Sequence, residues 1–271
     1  MRGTSGASLA AAQERFEPVL RSAGEESLAL GQQLFTMTAA LDGSATLRRS
    51  LADPSRTGED KAALVAALLR DGFDERVVDL VSGLVRSRWS SDMDLVDATE
   101  RLGVDAILAS AESRGALERV EDELFRVSRA LIGQREARRV LSDGSTAPAR
   151  RAALVESVLA GRADPVTRVL AERATADLRG RRFVATLGWF GDIAAERRKR
   201  LVAAVTTGSM LSTAQLERLS GLLERAYGRA VQLNVTVDPA VIGGLRIQVG
   251  PDVVDSTVLS RLADARRRLV S

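Results

Sequence analysis

The feature that most constrains the fold of this chain is an internal repeat. Residues 41–80 align with residues 131–170 without a gap, and 14 of the 40 positions are identical. In the first copy the identical residues are Leu41, Gly43, Arg48, Arg49, Leu51, Asp53, Ser55, Ala62, Ala63, Leu64, Val65, Leu69, Asp74 and Leu80. Because they combine apolar residues at helical spacing with turn residues, we interpret the repeat as a duplication of one helical unit. Coincidence between segments rich in Ala, Leu and Arg is the alternative.

The pattern from Ser8 to about Arg198 is helical throughout. Apolar residues recur every three or four positions, and strand-like alternation is absent. Turn pairs such as Asp53-Pro54 and Asp143-Gly144 divide the region into segments. We therefore predict an all-α bundle of about ten helices over residues 1–198.

The pattern changes near the C-terminal end. Residues 231–237 and 245–249 alternate apolar and polar side chains, which predicts two half-buried strands. Residues 201–206 predict a further strand before them. We therefore predict a small α+β domain over residues 199–271.

Helix signals complete this second domain. Ser212 and Gln215 form a capping box, and Gly228 is placed to end the helix that follows. A final helix is expected to begin at Asp255 or Ser256. The predicted fold class is mainly α, with an N-terminal multi-helix bundle containing a duplicated unit, followed by the small C-terminal α+β domain.

The composition excludes the commonest catalytic and metal chemistry. Cysteine and histidine are both absent, so the chain has no disulfide, no thiolate site and no His general base. Asp92 and Asp94 offer too few oxygens for a hard cation, and helix capping explains them better. Residues 121–123, Glu-Asp-Glu, are expected on a solvated helix face. We expect no catalytic, cofactor-binding or metal-binding residues and no enzyme activity.

The charge balance argues against a general affinity for nucleic acid. The chain has 39 basic and 36 acidic residues, a formal net charge of +3. Arginine clusters at 181–182 and 197–200 flank Trp189 and Phe190, so an Arg-rich nucleic-acid binder stays open as an alternative. We interpret Trp189 and Phe190 as packing anchors or as contacts for a partner helix.

No segment has the length and apolarity of a membrane span. The longest uncharged runs, residues 27–41 and 201–216, are shorter than the roughly 20 apolar residues that a spanning helix needs. The N-terminus lacks the long apolar stretch of a secretory signal. We therefore expect a soluble, intracellular protein.

The most specific segment is residues 231–249. It consists of an alternating strand, an acid, a short spacer, Ile-Gly-Gly and a second alternating strand. This order resembles the signature of the delta subunit of F-type ATP synthases, whose mitochondrial counterpart is the oligomycin-sensitivity-conferring protein. The resemblance covers about residues 201–269 well and the helical region more loosely. It implies structural signature roles for Asp238, Pro239, Ile242, Gly243 and Gly244.

The resemblance implies a stator function without catalysis. In that family the helical domain grips the N-terminal helices of the alpha subunits, and the C-terminal domain joins the peripheral-stalk b subunits. The head is thereby held still, so that proton-driven rotation is coupled to ATP synthesis. A peripheral location at the cytoplasmic face of the plasma membrane follows, with membrane contact only through the complex, no cofactor and no nucleic acid.

The length departs from the family pattern. Typical members have a six-helix bundle before the small domain, and about ninety residues are extra here, which the duplication accounts for. The second copy is expected to extend the reach of the subunit or to stiffen the joint.

Family bundles bind the alpha helix between their first and fifth helices. By order, these helices carry Phe16, Leu20, Val78 and Val81, which are candidate partner contacts. The alternative is that these side chains fill the core, as apolar helix stripes normally do. For the whole chain, a helical-repeat scaffold of unrelated function is the other alternative.

Overall fold

The chain consists of two compact units. The computed structural model describes residues 3–159, 161–176, 178–199, 202–228, 231–239, 241, 243–249 and 252–255. Residues 1–194 form the first unit and residues 195–271 the second. The first is helical and the second carries a sheet, which confirms the predicted mainly α class with a small α+β part.

Eleven α-helices lie within the described part of residues 3–199, against about ten expected. They are α1 (Gly3–Ala23), α2 (Ser27–Gly43), α3 (Ala45–Ala52), α4 (Gly58–Leu69), α5 (Glu75–Arg86), α6 (Asp92–Ser113), α7 (Leu117–Ala130), α8 (Arg135–Ser142), α9 (Pro148–Leu159), α10 (Pro165–Ala176) and α11 (Phe183–Lys199). The unit boundary at Ala194 and the predicted one after Arg198 both lie within α11.

Side-chain caps fix several helix starts. Thr57 caps α4, since its side chain accepts a hydrogen bond from the backbone N–H of Asp60. For α6 the cap is Ser91, so the assignment of capping to Asp92 and Asp94 is wrong. These two carboxylates lie in the first turn, where the helix dipole favours negative charge.

The duplication is visible helix by helix. α3, α4 and α5 recur as α8, α9 and α10 with the same lengths, each beginning and ending ninety residues later. The same shift places α1 on α6, α2 on α7 and α6 on α11. Helix α6 is therefore both the sixth helix of one bundle and the first helix of the next. We call α1–α6 the first bundle and α6–α11 the second bundle.

The turns repeat as closely as the helices. The backbone N–H of Ser55 donates to Oδ1 of Asp53 at 2.8 Å, and the N–H of Ser145 donates to Oδ1 of Asp143 at 2.9 Å. Both turns are Asx turns, which the Asp side chain closes onto its own backbone two residues on. The repeated sequence thus produces a repeated local structure.

Two apolar cores fill the helical unit, and α6 contributes to both. Its residues Leu102 and Ala106 belong to the core of the first bundle, together with Phe16 of α1. Its residues Ile107 and Leu108 belong to the core of the second bundle. Every α6 residue from 102 to 111 is buried, because the helix has neighbours on all sides over this stretch.

The C-terminal unit is a four-stranded sheet with a helix packed on it. It comprises β1 (Val202–Thr207), α12 (Thr213–Tyr227), β2 (Gln232–Val237), β3 (Leu245–Val249) and β4 (Asp252–Asp255). The strand order is β2-β1-β3-β4; β1 runs parallel to β2 and antiparallel to β3, and β4 is antiparallel to β3.

Local signals place the elements of this sheet unit. Ser212 and Gln215 form the predicted capping box of α12, and Gly228 ends the helix in the left-handed conformation. Leu223 of α12 packs with Val205 and Ile247 in the core of this unit. The expected final helix lies outside the described residues. Among the helices that the structure describes, none combines the length and apolarity needed to cross a bilayer.

Candidate partner-binding surfaces

The first and fifth helices of the first bundle are α1 and α5, as the order of the elements predicted. Phe16, Leu20 and Val81 are 2%, 2% and 1% exposed and lie in the first core. Their burial agrees with the core interpretation of these three residues. Val78 is half-buried and packs against the edge of the same core. A role in partner contact therefore stays a prediction, and Val78 is the candidate with accessible surface.

Helices α1 and α5 pack along a line that has half-buried residues on both helices. The Ser8 hydroxyl donates to the carbonyl oxygen of Arg88 just beyond α5, so the helices run antiparallel. Arg15 lies across α5 at Gly83, where an added Cβ would be 3.3 Å from both of its terminal nitrogens. Val19, one turn further along α1, then faces the stretch of α5 that holds Val78. We call Arg15, Val19, Val78 and Gly83 the α1–α5 seam.

The corresponding pair in the second bundle, α6 and α10, is covered by the chain itself. Ninety residues after Val78 and Gly83 stand Arg168 and Arg173. The guanidinium of Arg173 lies 4.8 Å from the ring centroid of Phe35, and Phe35 of α2 belongs to the second core. The two bundles therefore differ at this position, since a valine and a glycine are replaced by two arginines.

A buried carboxylate fastens the α10–α11 connection to α6. Glu100 is 1% exposed, and its Oε2 accepts a hydrogen bond from Nη1 of Arg179 at 2.6 Å and another from Arg181. Arg173 approaches the other oxygen of Glu100 at 3.7 Å. Three arginines thus surround one carboxylate, and Asp97 adds a further contact to Arg179 at 2.8 Å.

Arg179 is held in an unusual backbone conformation by this network. Its φ is 44°, a left-handed value that non-glycine residues seldom adopt. Burial acts to lower the pKa of Arg179, but the attraction of Glu100 and Asp97 outweighs it and raises the pKa above its ordinary value. No local pattern in the sequence points to the network, because Glu100 and Arg179 are 79 residues apart.

Trp189 and Phe190 occupy different environments. Phe190 is fully buried in the second core, whereas Trp189 is half-buried at its edge. The guanidinium of Arg181 lies 4.6 Å from the Trp189 ring centroid, a cation–π contact. Arg181 covers one face of the half-buried Trp189 ring, which reduces the area on which a base could stack. Contact of Trp189 with a partner helix stays a prediction.

The signature segment of the C-terminal unit builds the connection between β2 and β3. The N–H of Asp238 donates to the carbonyl oxygen of Thr207 at 2.8 Å, and Pro239 continues the turn. Gly243 and Gly244 have φ values of 61° and 91°, which glycine adopts without strain. Ile242 lies outside the described residues.

The end of β1 packs tightly against this connection. A Cβ on Gly208 would lie 2.1 Å from the carbonyl oxygen of Val241, so only glycine fits there. The N–H of Val241 in turn donates to the carbonyl oxygen of Asp238 at 3.0 Å. Among the described residues, the signature segment therefore determines the path of the backbone, through hydrogen bonds, glycine conformations and the close approach at Gly208.

Comparison with known proteins agrees with these features. The family model described as ATP synthase delta (OSCP) subunit matches residues 104–269, which include most of the second bundle and the sheet unit. An ATP synthase subunit delta from Beutenbergia cavernae is 52% identical over 269 residues, covering 99% of both chains. The subunits delta of Kineococcus radiotolerans and Streptomyces griseus are 43% and 42% identical, again over at least 97% of each chain.

These relatives have nearly the same length as this chain, so the match extends across both bundles. The family match itself begins inside α6, the helix that the bundles share. The chain belongs to the ATP synthase delta (OSCP) subunit family.

Proposed function

We propose that this chain, a stator subunit of F-type ATP synthase, joins the catalytic head to the peripheral stalk without catalysing a reaction itself. The helical unit binds N-terminal helices of the alpha subunits, and the sheet unit binds the b subunits. The subunit is a peripheral member of its membrane-associated complex, at the cytoplasmic face of the plasma membrane. The full-length similarity to subunits delta carries this proposal.

The α1–α5 seam is the proposed site for an alpha-subunit helix. In the first bundle the seam presents half-buried Val19 and Val78, and the Arg15 side chain lies over Gly83 of α5. An amphipathic helix binds by laying its apolar face into a groove of this kind. In the second bundle Arg168 and Arg173 replace the valine and the glycine, and Arg173 packs on Phe35.

Two attachments at separate units suit a subunit that resists torque. When two binding modules act together, the second contact forms at high effective concentration, so the pair dissociates far more slowly than either alone. The second bundle increases the distance over which the helical unit makes contact. In this proposal the extra copy extends the reach of the subunit or stiffens the joint.

Co-purification from native membranes tests the stator assignment. Recovery of the chain with alpha, beta and b subunits is expected. Recovery alone, or with nucleic acid released by nuclease, would argue for the scaffold or the nucleic-acid alternative.

A residue exchange between the bundles tests the seam. Val78→Arg gives the first bundle the residue that the second carries at this position, and Arg168→Val makes the reverse change. We expect Val78→Arg to weaken binding of a synthetic alpha N-terminal helix at least about tenfold, or roughly 1.4 kcal/mol. Arg168→Val serves as the matched control and is expected to bind within about twofold of the unchanged protein.

The two variants distinguish a loss of helix binding from a loss of folding. Because the same fold already accommodates Arg168, Val78→Arg is expected to keep its helical circular dichroism and a similar melting temperature. Equal affinity of the two variants for the helix would rule out the seam, while co-purification would still report on the stator role.

A further inference from the structure

The second bundle contains an open cleft with an excess of arginine. It lies between α8 and the start of α11 and has a volume of about 610 Å³. Arg135, Arg138, Arg139 and Arg182 line it, and all four are exposed. The carboxylate in the lining is Asp143, so the local charge is strongly positive.

The same place in the first bundle is neutralised internally. There Arg48 corresponds to Arg138, and its Nε lies 3.3 Å from Oδ2 of Asp92. Arg48 also donates to the carbonyl oxygens of Leu41 and Asp42 at 2.9 and 2.8 Å. The residue that corresponds to Asp92 in the second bundle is Arg182. Arg138 therefore faces another arginine at the position where Arg48 has a carboxylate.

A further substitution adds to this excess. Arg135 corresponds to Ala45 of the first bundle, so the cleft has a second cation that the first bundle lacks. Asp143, whose Oδ1 accepts from the N–H and the hydroxyl of Ser145 at 2.9 and 2.7 Å, supplies one negative charge that attracts Arg139, so it balances one of the four cations at most. The remaining exposed cations repel one another weakly through solvent, and a bound anion would replace that repulsion with attraction.

Several other arginines of the helical unit pair with a carboxylate. Arg76 pairs with Asp74 at 2.7 Å, Arg86 with Glu59 at 2.9 Å, and Arg114 with Asp164 at 3.0 Å. The cleft departs from this pattern, because four arginines there share one carboxylate that is already hydrogen-bonded. Compared with its counterpart in the first bundle, this face of the second bundle therefore carries an excess of positive charge.

We propose that this arginine cleft binds a carboxylate-rich helical segment of a partner protein. Guanidinium groups match carboxylates with two parallel hydrogen bonds, which favours Asp and Glu side chains as the bound groups. Val184 and Ala185 add apolar surface that suits the aliphatic side chains of an amphipathic helix. The inference concerns α8 and α11 and does not depend on which helix pair binds the alpha subunits.

The lining argues for a protein rather than a nucleic acid. Among the described residues that line the cleft there is no aromatic side chain on which a base could stack. The cleft is also much larger than a single phosphate ion. An acidic polypeptide uses both the charge and the apolar surface, whereas an oligonucleotide or a phosphate uses the charge alone.

A charge reversal copied from the first bundle tests the proposal. Arg182→Asp restores the residue type found at Asp92 and lets Arg138 form an internal pair. Aspartate immediately before α11 also suits the helix start, so the variant is expected to fold. The matched control is Arg168→Asp, the same charge change on α10 outside the cleft.

Binding of poly-L-glutamate to the full-length protein is measured by fluorescence anisotropy at fixed salt. Arg182→Asp is expected to weaken binding at least about tenfold, and Arg168→Asp by no more than about twofold. Equal weakening by the two variants would show a nonspecific charge effect and overturn the proposal. Tighter binding of a single-stranded oligonucleotide than of poly-L-glutamate, with the same dependence on Arg182, would also overturn it, as would saturation of the cleft by inorganic phosphate.

Arginine modification provides a second readout in the assembled complex. Phenylglyoxal is expected to modify Arg138 and Arg182 in the isolated subunit and to modify them severalfold less in the complex. Arg168 reports the background reactivity. Equal reactivity of Arg138 and Arg182 in both samples would exclude a bound partner segment at this cleft.

Discussion

Gly31 of α2 and Gly103 of α6 pack directly against each other, so that a Cβ on Gly31 would lie 2.7 Å from the carbonyl oxygen of Gly103. The same Cβ would lie 2.4 Å from Cγ1 of Ile107. A Cβ on Gly103 would meet the ring of Phe35 at 2.8 Å. The two glycines therefore set how closely α2 approaches the helix that the bundles share.

Gly31→Ala is expected to destabilise the helical unit. The added methyl group collides with backbone, which cannot move aside easily, so we expect a loss of about 1–3 kcal/mol or more in the free energy of unfolding. Urea denaturation followed by circular dichroism measures it. In the control Gly188→Ala on α11, the added Cβ meets nothing within 4 Å. There the better helix propensity is expected to stabilise by up to about 1 kcal/mol, and a similar loss in both variants would contradict the packing argument.

Glu100→Gln is expected to be among the most damaging single substitutions in the helical unit. It removes the buried negative charge that Arg179 and Arg181 bind, and Arg179 then keeps only the more exposed Asp42 and Asp97, so we expect a cost of up to about 3–5 kcal/mol. Chemical denaturation measures the change. Asp97→Asn is the control, because the Asp97 side chain is 51% exposed and a surface pair contributes at most about 1 kcal/mol. Comparable effects of the two substitutions would show that the buried network does not stabilise the fold.

The stability of the second bundle is expected to fall in acid through Asp164. Burial acts to raise the pKa of Asp164, but hydrogen bonds from Arg114 and from the N–H of Val166 outweigh it and lower the pKa. An acid with a lowered native pKa stabilises the fold at pH values above its unfolded pKa. That stabilisation is lost as the pH falls from about 4 through the native value.

Asp164→Asn tests this dependence. The variant is expected to be less stable at neutral pH and to lose less of its stability between about pH 5 and pH 2 than the unchanged protein. The urea midpoint is measured at several pH values across this range, and its slope against pH is compared between the proteins. Asp122→Asn, at an exposed pair with Arg126, is the control and should keep the slope of the unchanged protein. If the urea midpoint of Asp164→Asn fell with decreasing pH as steeply as that of the unchanged protein, Asp164 would not be the source of the acid sensitivity.

Gly208→Ala is expected to disrupt the sheet unit. The methyl group would lie 2.1 Å from the carbonyl oxygen of Val241, so the β2–β3 connection must move and the signature turn with it. We expect the free energy of unfolding to fall by at least about 1–3 kcal/mol. In the control Gly221→Ala within α12, the added Cβ would have only the flexible Arg225 side chain nearby, at 3.9 Å. That variant should be as stable as the unchanged protein or more so, as amide hydrogen exchange of the sheet would show.

The duplication was predictable where both copies keep the same core. Its identities fall mostly in α3, α4 and α5, and these are the helices that recur with identical lengths. Its extension to α2 and α7 was not predictable, because their environments differ. Phe35 is buried between the bundles, whereas Phe125, its counterpart, is 61% exposed. Gly31, which packs on α6, corresponds to Glu121.

Local patterns predicted local structure well and long-range contacts poorly. The three predicted strands and the capping box of Ser212 depend on neighbouring residues and were confirmed, whereas strand β4 was not predicted from such a pattern. Glu123, in contrast, was expected on a solvated face, and this was wrong. Its carboxylate accepts from the N–H of Asp164 at 2.8 Å and from the Thr167 hydroxyl at 2.7 Å. Partners 41 and 44 residues away leave no trace in a helical pattern.

Because α6 is shared by the two bundles, it determines how many helices an additional bundle requires. Since one helix closes a bundle and opens the following one, each additional copy requires five new helices, not six. No single cut through the backbone of the helical unit can release two whole bundles, because α6 can stay with only one of the two fragments. Inserting a hinge between the bundles would mean breaking one continuous helix of 22 residues, because no loop joins the first bundle to the second.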